Sequence, residues 1–312
     1  MKILLIALTE TYESLLPALE EKNHHYKLLT QKSFPGHNIY YGGPGVVEWV
    51  QEEIRKFSPD IVINNMAGLL LPPSSSYTYF GNTEESSRLE MNKWETRQHV
   101  KSLGFDFLFP EVVAECNLDE MTYFPYTTFL KSKGNDTFCQ AWRVTPDTDL
   151  EYHNHVLQHH KQIKCPAYVE RAVDFEVEGY CQFRINNGTY NFTSVLGIYG
   201  DGGGYKQLVN TSDWKKDTYL ADLAPEHHKA VTEKCGEWLE YAATFGGNYE
   251  GNIGTGITSD SEVYWFEHNS RQSMYAEFVG DADSWIDSFT KNTNENFWEF
   301  PHGEPLKTQI GQ

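Results

Sequence analysis

The sequence predicts a chain of α/β followed by α+β architecture, with a small parallel sheet first and a larger body of antiparallel strands and helices after it. Two patterns carry this expectation. In the N-terminal part, short and nearly continuous apolar runs alternate with helical stripes, as expected of strands covered on both faces and joined by crossover helices. In the C-terminal part the strand-like runs lengthen and alternate polar with apolar, as expected of a sheet with one covered face. With 312 residues, 39% of them apolar, the chain has enough material for substantial cores without staples.

The elements follow in order. Lys2 to Leu8 is a buried strand, ESLLPALEEK a helix and HYKLLTQ a second strand. GPGVVEWVQEEIRKF places Val46, Val47, Val50 and Ile54 on one helical stripe, and Pro59 to Asn65 is a third buried strand. Thr9-Glu10-Thr11-Tyr12 stands where a dinucleotide-binding turn needs glycines, so this domain is not expected to hold a dinucleotide. LLLPPSSSYTYFGNT reads as a linker and EESSRLEMNKWETRQHVKSLGF as one helix, with Leu89, Trp94 and Val100 inward. Tyr126 to Gly134 and Thr137 to Val144 read as a strand pair, followed by a His-rich helix. Pro166 to Ile185 and Tyr190 to Gly200 are long strands, Pro225 to Gly246 is a helix, and YEGNIGTGIT and EVYWFEHNSR form a final hairpin.

Charge and cysteines narrow the function. A formal charge of -19 argues against nucleic acid as a partner, because a phosphate backbone demands clustered Lys and Arg. Five cysteines without a CxxC pair fit reduced thiols and a cytoplasmic location. MKILLIAL is too short to span a membrane, so a first core strand is expected rather than a signal peptide, and no membrane association is expected. A homodimer is compatible with this composition. His153, His155, His159 and His160 read as a solvated helix face rather than a metal site, since no usual partner stands at ligand spacing.

The last hairpin carries the chemistry. In its second strand Glu267, Asn269 and Arg271 alternate with Phe266, His268 and Ser270, so a carboxylate, an amide and a guanidinium share one face. Spacing alone leaves two readings, a solvated row or a row held against something ionic. FGNTEESSRLEMNKWETRQHVKSLGF, FPYTTFLKSKG, YVERAVDFEVEG and EHNSR, in that order, resemble the ATP-grasp ligases, and within them the glycinamide ribonucleotide synthetases (phosphoribosylamine-glycine ligases). The resemblance covers roughly residues 1–275.

The resemblance implies a pre-ATP-grasp domain over 1–82, an ATP-grasp domain of two α+β subdomains over 83–290 with a small clamping subdomain near 105–167, and a tail over 291–312. It implies ATP as nucleotide, with Lys93 and Lys131 on its phosphates, backbone of Arg171, Ala172 and Val173 at the adenine, and Glu170, Glu176 or Glu178 at the ribose. Glu267 and Asn269 become ligands of Mg²⁺, with Mn²⁺ able to substitute, and Arg271 stabilises the transferred phosphoryl group. The substrates implied are a small carboxylate and an amine, joined through an acyl phosphate.

The sequence also departs from the family. The phosphate loop is reduced to KSKGNDTF, in which Lys133, Gly134 and Thr137 are the candidates, and Gly254 stands where a third metal ligand is common. Only Ser273 to Gln312 follow the metal strand, which leaves the acceptor open. Asp201, Gly203 and Lys206 in GDGGGYKQL are candidate substrate contacts, against the alternative of a plain loop. A non-catalytic nucleotide- or partner-binding relative and an ATP-grasp kinase are the competing functions.

Overall fold

The computed structural model describes residues 1–7, 12–34, 42, 45–116, 124–133, 142–147, 167–200, 218–272, 276–291 and 293–300. The N-terminal sheet contains β1 (Lys2–Ile6), β2 (His25–Leu29), β3 (Ile61–Asn64) and β4 (Thr78–Phe80), in the order β2-β1-β3-β4 and parallel throughout. Helices α1 (Leu16–Glu21) and α2 (Val46–Phe57) make the crossovers. Both faces of β1 are covered: Ile3 and Leu5 pack with α1 and Leu19, while Leu4 and Ile6 pack with Val46, Val50 and Ile54 of α2. This is why KILLI carries no polar alternation.

Two expectations for the next segment need correction. The stretch read as a linker contains β4, whose three residues are too few to show a period. The single helix expected after it is two, α3 (Glu84–Met91) and α4 (Lys93–Ser102), broken at Asn92. Asn92 leaves helical geometry at φ -127° and ψ 71°, and its side chain accepts the Glu95 N–H, so it caps α4. Thr83 caps α3 in the same way from Ser86. Trp94 consequently leaves the helical core and packs at a tilt against Tyr168, with ring centroids 4.4 Å apart and planes 44° from parallel.

The small antiparallel sheet has the order β5-β8-β6-β7, from Val112–Cys116, Ala167–Arg171, Thr128–Ser132 and Trp142–Val144. The large one has the order β11-β10-β9-β12-β13. Its strands are β9 (Val177–Asn186), β10 (Thr189–Gly200), β11 (Thr218–Asp222), β12 (Asn248–Ile257) and β13 (Val263–Asn269). Helix α5 (Pro225–Ala243) covers one face, where Val231, Cys235, Trp238, Leu239 and Ala242 pack against Cys181, Phe183, Ile253 and Trp265. Cys181 and Cys235 are free and buried. The chain turns from α5 into β12 through Gly246 and Gly247 at φ +78° and +92°, and a Cβ on Gly247 would stand 3.0 Å from the Gly81 carbonyl.

After β13 the chain returns to the N-terminal sheet. The short pair β14 (Glu277–Phe278) and β15 (Trp298–Glu299) and helix α6 (Ala282–Lys291) bring Phe278, Trp285, Phe289, Phe297, Trp298 and Phe300 into the core that holds Ile3, Leu5 and Tyr12. Residues 293–300, assigned to a tail from sequence, thus help close the first domain. No helix among the described residues is long and apolar enough to cross a membrane.

Candidate functional site

The row on β13 owes its orientation to a bulge. Gly254 of β12 pairs with Glu267, yet Thr255 pairs with Trp265, which leaves Phe266 as an extra residue. Strict alternation would send Trp265 and Glu267 to one side; the bulge breaks the phase. Trp265 and His268 therefore face α5, where Trp238 Nε1 donates to His268 Nδ1 at 3.2 Å. Glu267 and Asn269 turn to the opposite face.

On that face Asn269 Nδ2 donates to Glu267 Oε1 at 2.8 Å and to Asn252 Oδ1 at 2.9 Å. The Lys93 ammonium pairs with Glu267 Oε2. Burial pushes the Glu267 carboxyl up, but Lys93, the Asn269 amide and the more distant Arg271 outweigh it and hold the group at about 2. Asn269 is 3% exposed, and its Oδ1 has no hydrogen-bond partner among the described residues. A carboxylate beside an orphaned amide oxygen is a donor set suited to a hard divalent cation. Gly254 has no side chain to add a ligand, and a Cβ there would stand 3.2 Å from Glu267 Cγ. Among the described residues no three His, Cys, Asp or Glu side chains converge.

The strand end is fixed from the first half of the chain. Glu90 of α3, 4% exposed, accepts from Ser270 N–H at 2.7 Å and from Arg271 Nε at 2.8 Å. Asn82 Nδ2 donates to Ser270 O, Ser270 Oγ donates to Ser86 O, and Gln272 N–H donates to Asn65 Oδ1. Thus α3 and the end of β3 set the position of Arg271. Glu90, Asn82 and Asn65 were missed in the sequence, because their partners lie some 180 residues or more away and an isolated polar residue reads as solvated.

The small sheet meets this row through Lys131, whose Nζ lies 2.6 Å from Glu170 Oε2 and 5.9 Å from the Phe266 ring centroid. Glu170 is 2% exposed and also pairs with Arg97 of α4, a second cation that the sequence reading overlooked. Arg97 donates to the Pro110 carbonyl and lies over the Phe109 and Tyr168 rings. Burial lowers its pKa, an effect opposed by its contact with Tyr168. Glu170 is therefore an internal counterion, while Glu176 is exposed and Glu178 half-buried at the start of β9. The Arg171 and Ala172 N–H groups donate to the Glu111 and Thr127 carbonyls at 2.8 and 3.0 Å. Lys133 pairs with Glu115 and lies 4.3 Å from the Trp94 ring centroid. Gly134 and Thr137 of the phosphate loop, the His153–His160 cluster, and Asp201, Gly203 and Lys206 lie outside the described residues.

Solved structures share this fold. Carboxyaminoimidazole ribonucleotide synthase from Aspergillus clavatus, complexed with ATP, superposes with a TM-score of 0.62 at 14% identity, covering 98% of this chain and 78% of that one. The chain has the ATP-grasp fold. Phosphoribosylamine–glycine ligase from Thermotoga maritima gives 0.60 at 14% identity over 93% of this chain and 74% of its own. D-alanine–D-alanine ligase from Bacillus anthracis gives 0.55 at 14% identity over 88% of each. No family model and no curated protein sequence matched the chain in the same comparisons. The small and large antiparallel sheets approach each other where Lys131 lies 5.9 Å from the Phe266 ring centroid.

Proposed function

We propose that this chain is an ATP-dependent carboxylate-amine ligase, with domain boundaries near 82 and 290 and residues 105–167 as the small clamping subdomain. The observation that supports it best is the convergence of Lys93, Lys131, Glu267, Asn269 and Arg271 between the two layers of an ATP-grasp fold. Fold likeness at 14% identity supports the class of reaction and leaves the substrates to the site.

In this reading Lys93 and Lys131 hold the phosphates as point charges, and Glu176 or Glu178 takes the ribose hydroxyls now that Glu170 is committed to Arg97. The Arg171–Val173 backbone flanks the adenine. Glu267 and Asn269 would hold Mg²⁺, which when bound would offset the negative charge of the phosphates. Arg271, oriented by Glu90, stands at the transferred phosphoryl group. Asp201, Gly203 and Lys206 remain the proposed contacts of the carboxylate and amine. The protein's contribution is positioning and electrostatics, and no cysteine or serine nucleophile is required.

Incubation with Mg-ATP and matched panels of carboxylic acids and amines tests this reading. Phosphate release that requires both an acid and an amine is the expected result. ADP formation with one acceptor and no free phosphate would indicate a kinase. No turnover across the panel, with nucleotide bound, would indicate the non-catalytic relative.

A further inference from the structure

The N-terminal sheet has a crevice of its own. Its order β2-β1-β3-β4 reverses between β1 and β3, and the chain leaves these two strands to opposite faces. Tyr12, Leu15 and Leu19 follow β1 into one core, while Met66, Ala67 and Leu69 follow β3 into the other. In an open parallel sheet, ligands bind outside the carboxyl ends of the strands at such a reversal. Asn65 stands there, directly after β3, with its N–H on the Ile6 carbonyl of β1 at 2.8 Å.

The Asn65 side chain is 5% exposed and half used. Its Oδ1 accepts from Gln272 N–H at 2.7 Å, which fixes the orientation of the amide, and its Nδ2 is buried with no partner among the described residues. On the other side of the same peptide bond, the Arg271 carbonyl accepts from Asn252 Nδ2 at 3.5 Å, and Asn252 Oδ1 accepts from Asn269 Nδ2 at 2.9 Å. The open donor thus lies against the peptide that ends the Glu267, Asn269, Arg271 row. A buried N–H without an acceptor is costly, and an amide nitrogen only donates, so the group that completes it carries an acceptor such as oxygen. Of the two substrates in the ligase reading, the carboxylate has such oxygens and a protonated amine has no acceptor at its nitrogen.

We infer that Asn65 Nδ2 binds an oxygen of the carboxylate substrate, which lies in the crevice between β1 and β3 beside Arg271. This inference rests on the ligase reading and adds to it a contact from the N-terminal domain, one that separates acid from amine.

Melting of the full chain in saturating Mg-ADP, titrated with a pool of acetate, lactate, succinate and the standard amino acids, reads carboxylate binding without turnover. The pool is expected to raise the melting temperature of the unaltered chain. Asn65→Asp should need about tenfold or more of it for half the effect, roughly one decade in Kd. The aspartate keeps the acceptor for Gln272 N–H and lacks only the donor, whereas Asn65→Ala lacks both. The donor role makes Asn65→Asp the weaker binder, because it sets like charges together; a purely structural role makes Asn65→Ala the weaker, and that order overturns the inference. So does an unaltered chain that ignores the pool, or an Asn65→Asp chain that titrates like it. If Asn65→Asp does not fold, the Asn65 side-chain amide resonance of the unaltered chain, identified by its absence from Asn65→Ala, should shift with the pool, and a fixed resonance overturns the inference. A pool effect lost in Asn65→Asp, with no effect of Mg-ADP on melting, upholds the Asn65 contact and overturns the nucleotide reading instead.

Discussion

Two carboxylates on neighbouring strands of one sheet have opposite surroundings. Glu250 of β12 is sealed: Arg184 Nη2 lies 2.7 Å away, the Trp298 and Trp285 indole N–H groups point at it, and Arg184 also donates to the Thr293 carbonyl. Arg184 is 0% exposed and Glu250 4%. Glu267 of β13 faces the same side, but its side chain keeps 28% exposure, and among the described residues its partners are the Asn269 amide and one lysine at 20%. A pair with its lone pairs filled by immovable groups is part of the framework. One held by a flexible ammonium can be exchanged. The lesson is that burial alone does not mark a site; the mobility and number of a charge's partners do.

Perturbing each acid separates the two roles. Glu250→Ala leaves Arg184 buried and unpaired, and should cost about 3–5 kcal/mol of folding stability by denaturant titration. Glu267→Ala should cost less, because the part-exposed Lys93 it leaves can turn to water. Its expected loss is the ligand effect: Mg-ATP at a hundred times its Kd stabilises by about 2.7 kcal/mol, and this variant should show no rise in melting temperature. If the two variants exchange these phenotypes, the distinction drawn here is wrong.

The inward neighbour of Glu267 extends the comparison to pH. Burial lowers the His268 pKa from 6.5 to about 3, and its Nε2 has no hydrogen-bond partner among the described residues. A folded-state pKa below the unfolded value means that the unfolded chain takes up a proton which the folded chain refuses. Stability is therefore full above pH 6.5 and falls as pH drops from there toward 3, by about 1.4 kcal/mol per pH unit. His268→Gln should flatten this slope. Glu267 acts lower, since its depressed pKa means stability present above pH 4.5 and lost as pH falls toward 2. The smallest effect expected is at the helix break, where Asn92→Ala removes the cap of α4 and should cost about 1 kcal/mol.

Periodicity made some of this architecture legible and hid the rest. The uninterrupted KILLI and IVIN runs gave the parallel sheet, because strands covered on both faces need apolar residues at every position. The Glu267, Asn269, Arg271 row was visible because strand side chains alternate. The bulge at Phe266 was not, although it is what turns Glu267 away from Trp265. The two helices around Asn92 read as one because the apolar spacing runs across the break. Arg97 and Glu90 carried no local signal, since an isolated charged residue on a helix reads as solvated; only the tertiary fold supplies Glu170 and Arg271 as their partners. β4 was missed because Pro and Ser flank three residues.

A structure of the full chain with Mg-ADP tests the central claim most directly. The cation is expected about 2.0–2.1 Å from oxygens of Glu267 and Asn269, with Lys131 turned from Glu170 to a phosphate and Arg97 still on Glu170. A nucleotide bound elsewhere, or one bound between the sheets with Glu267 still paired to Lys93 and no cation on the row, would contradict the account.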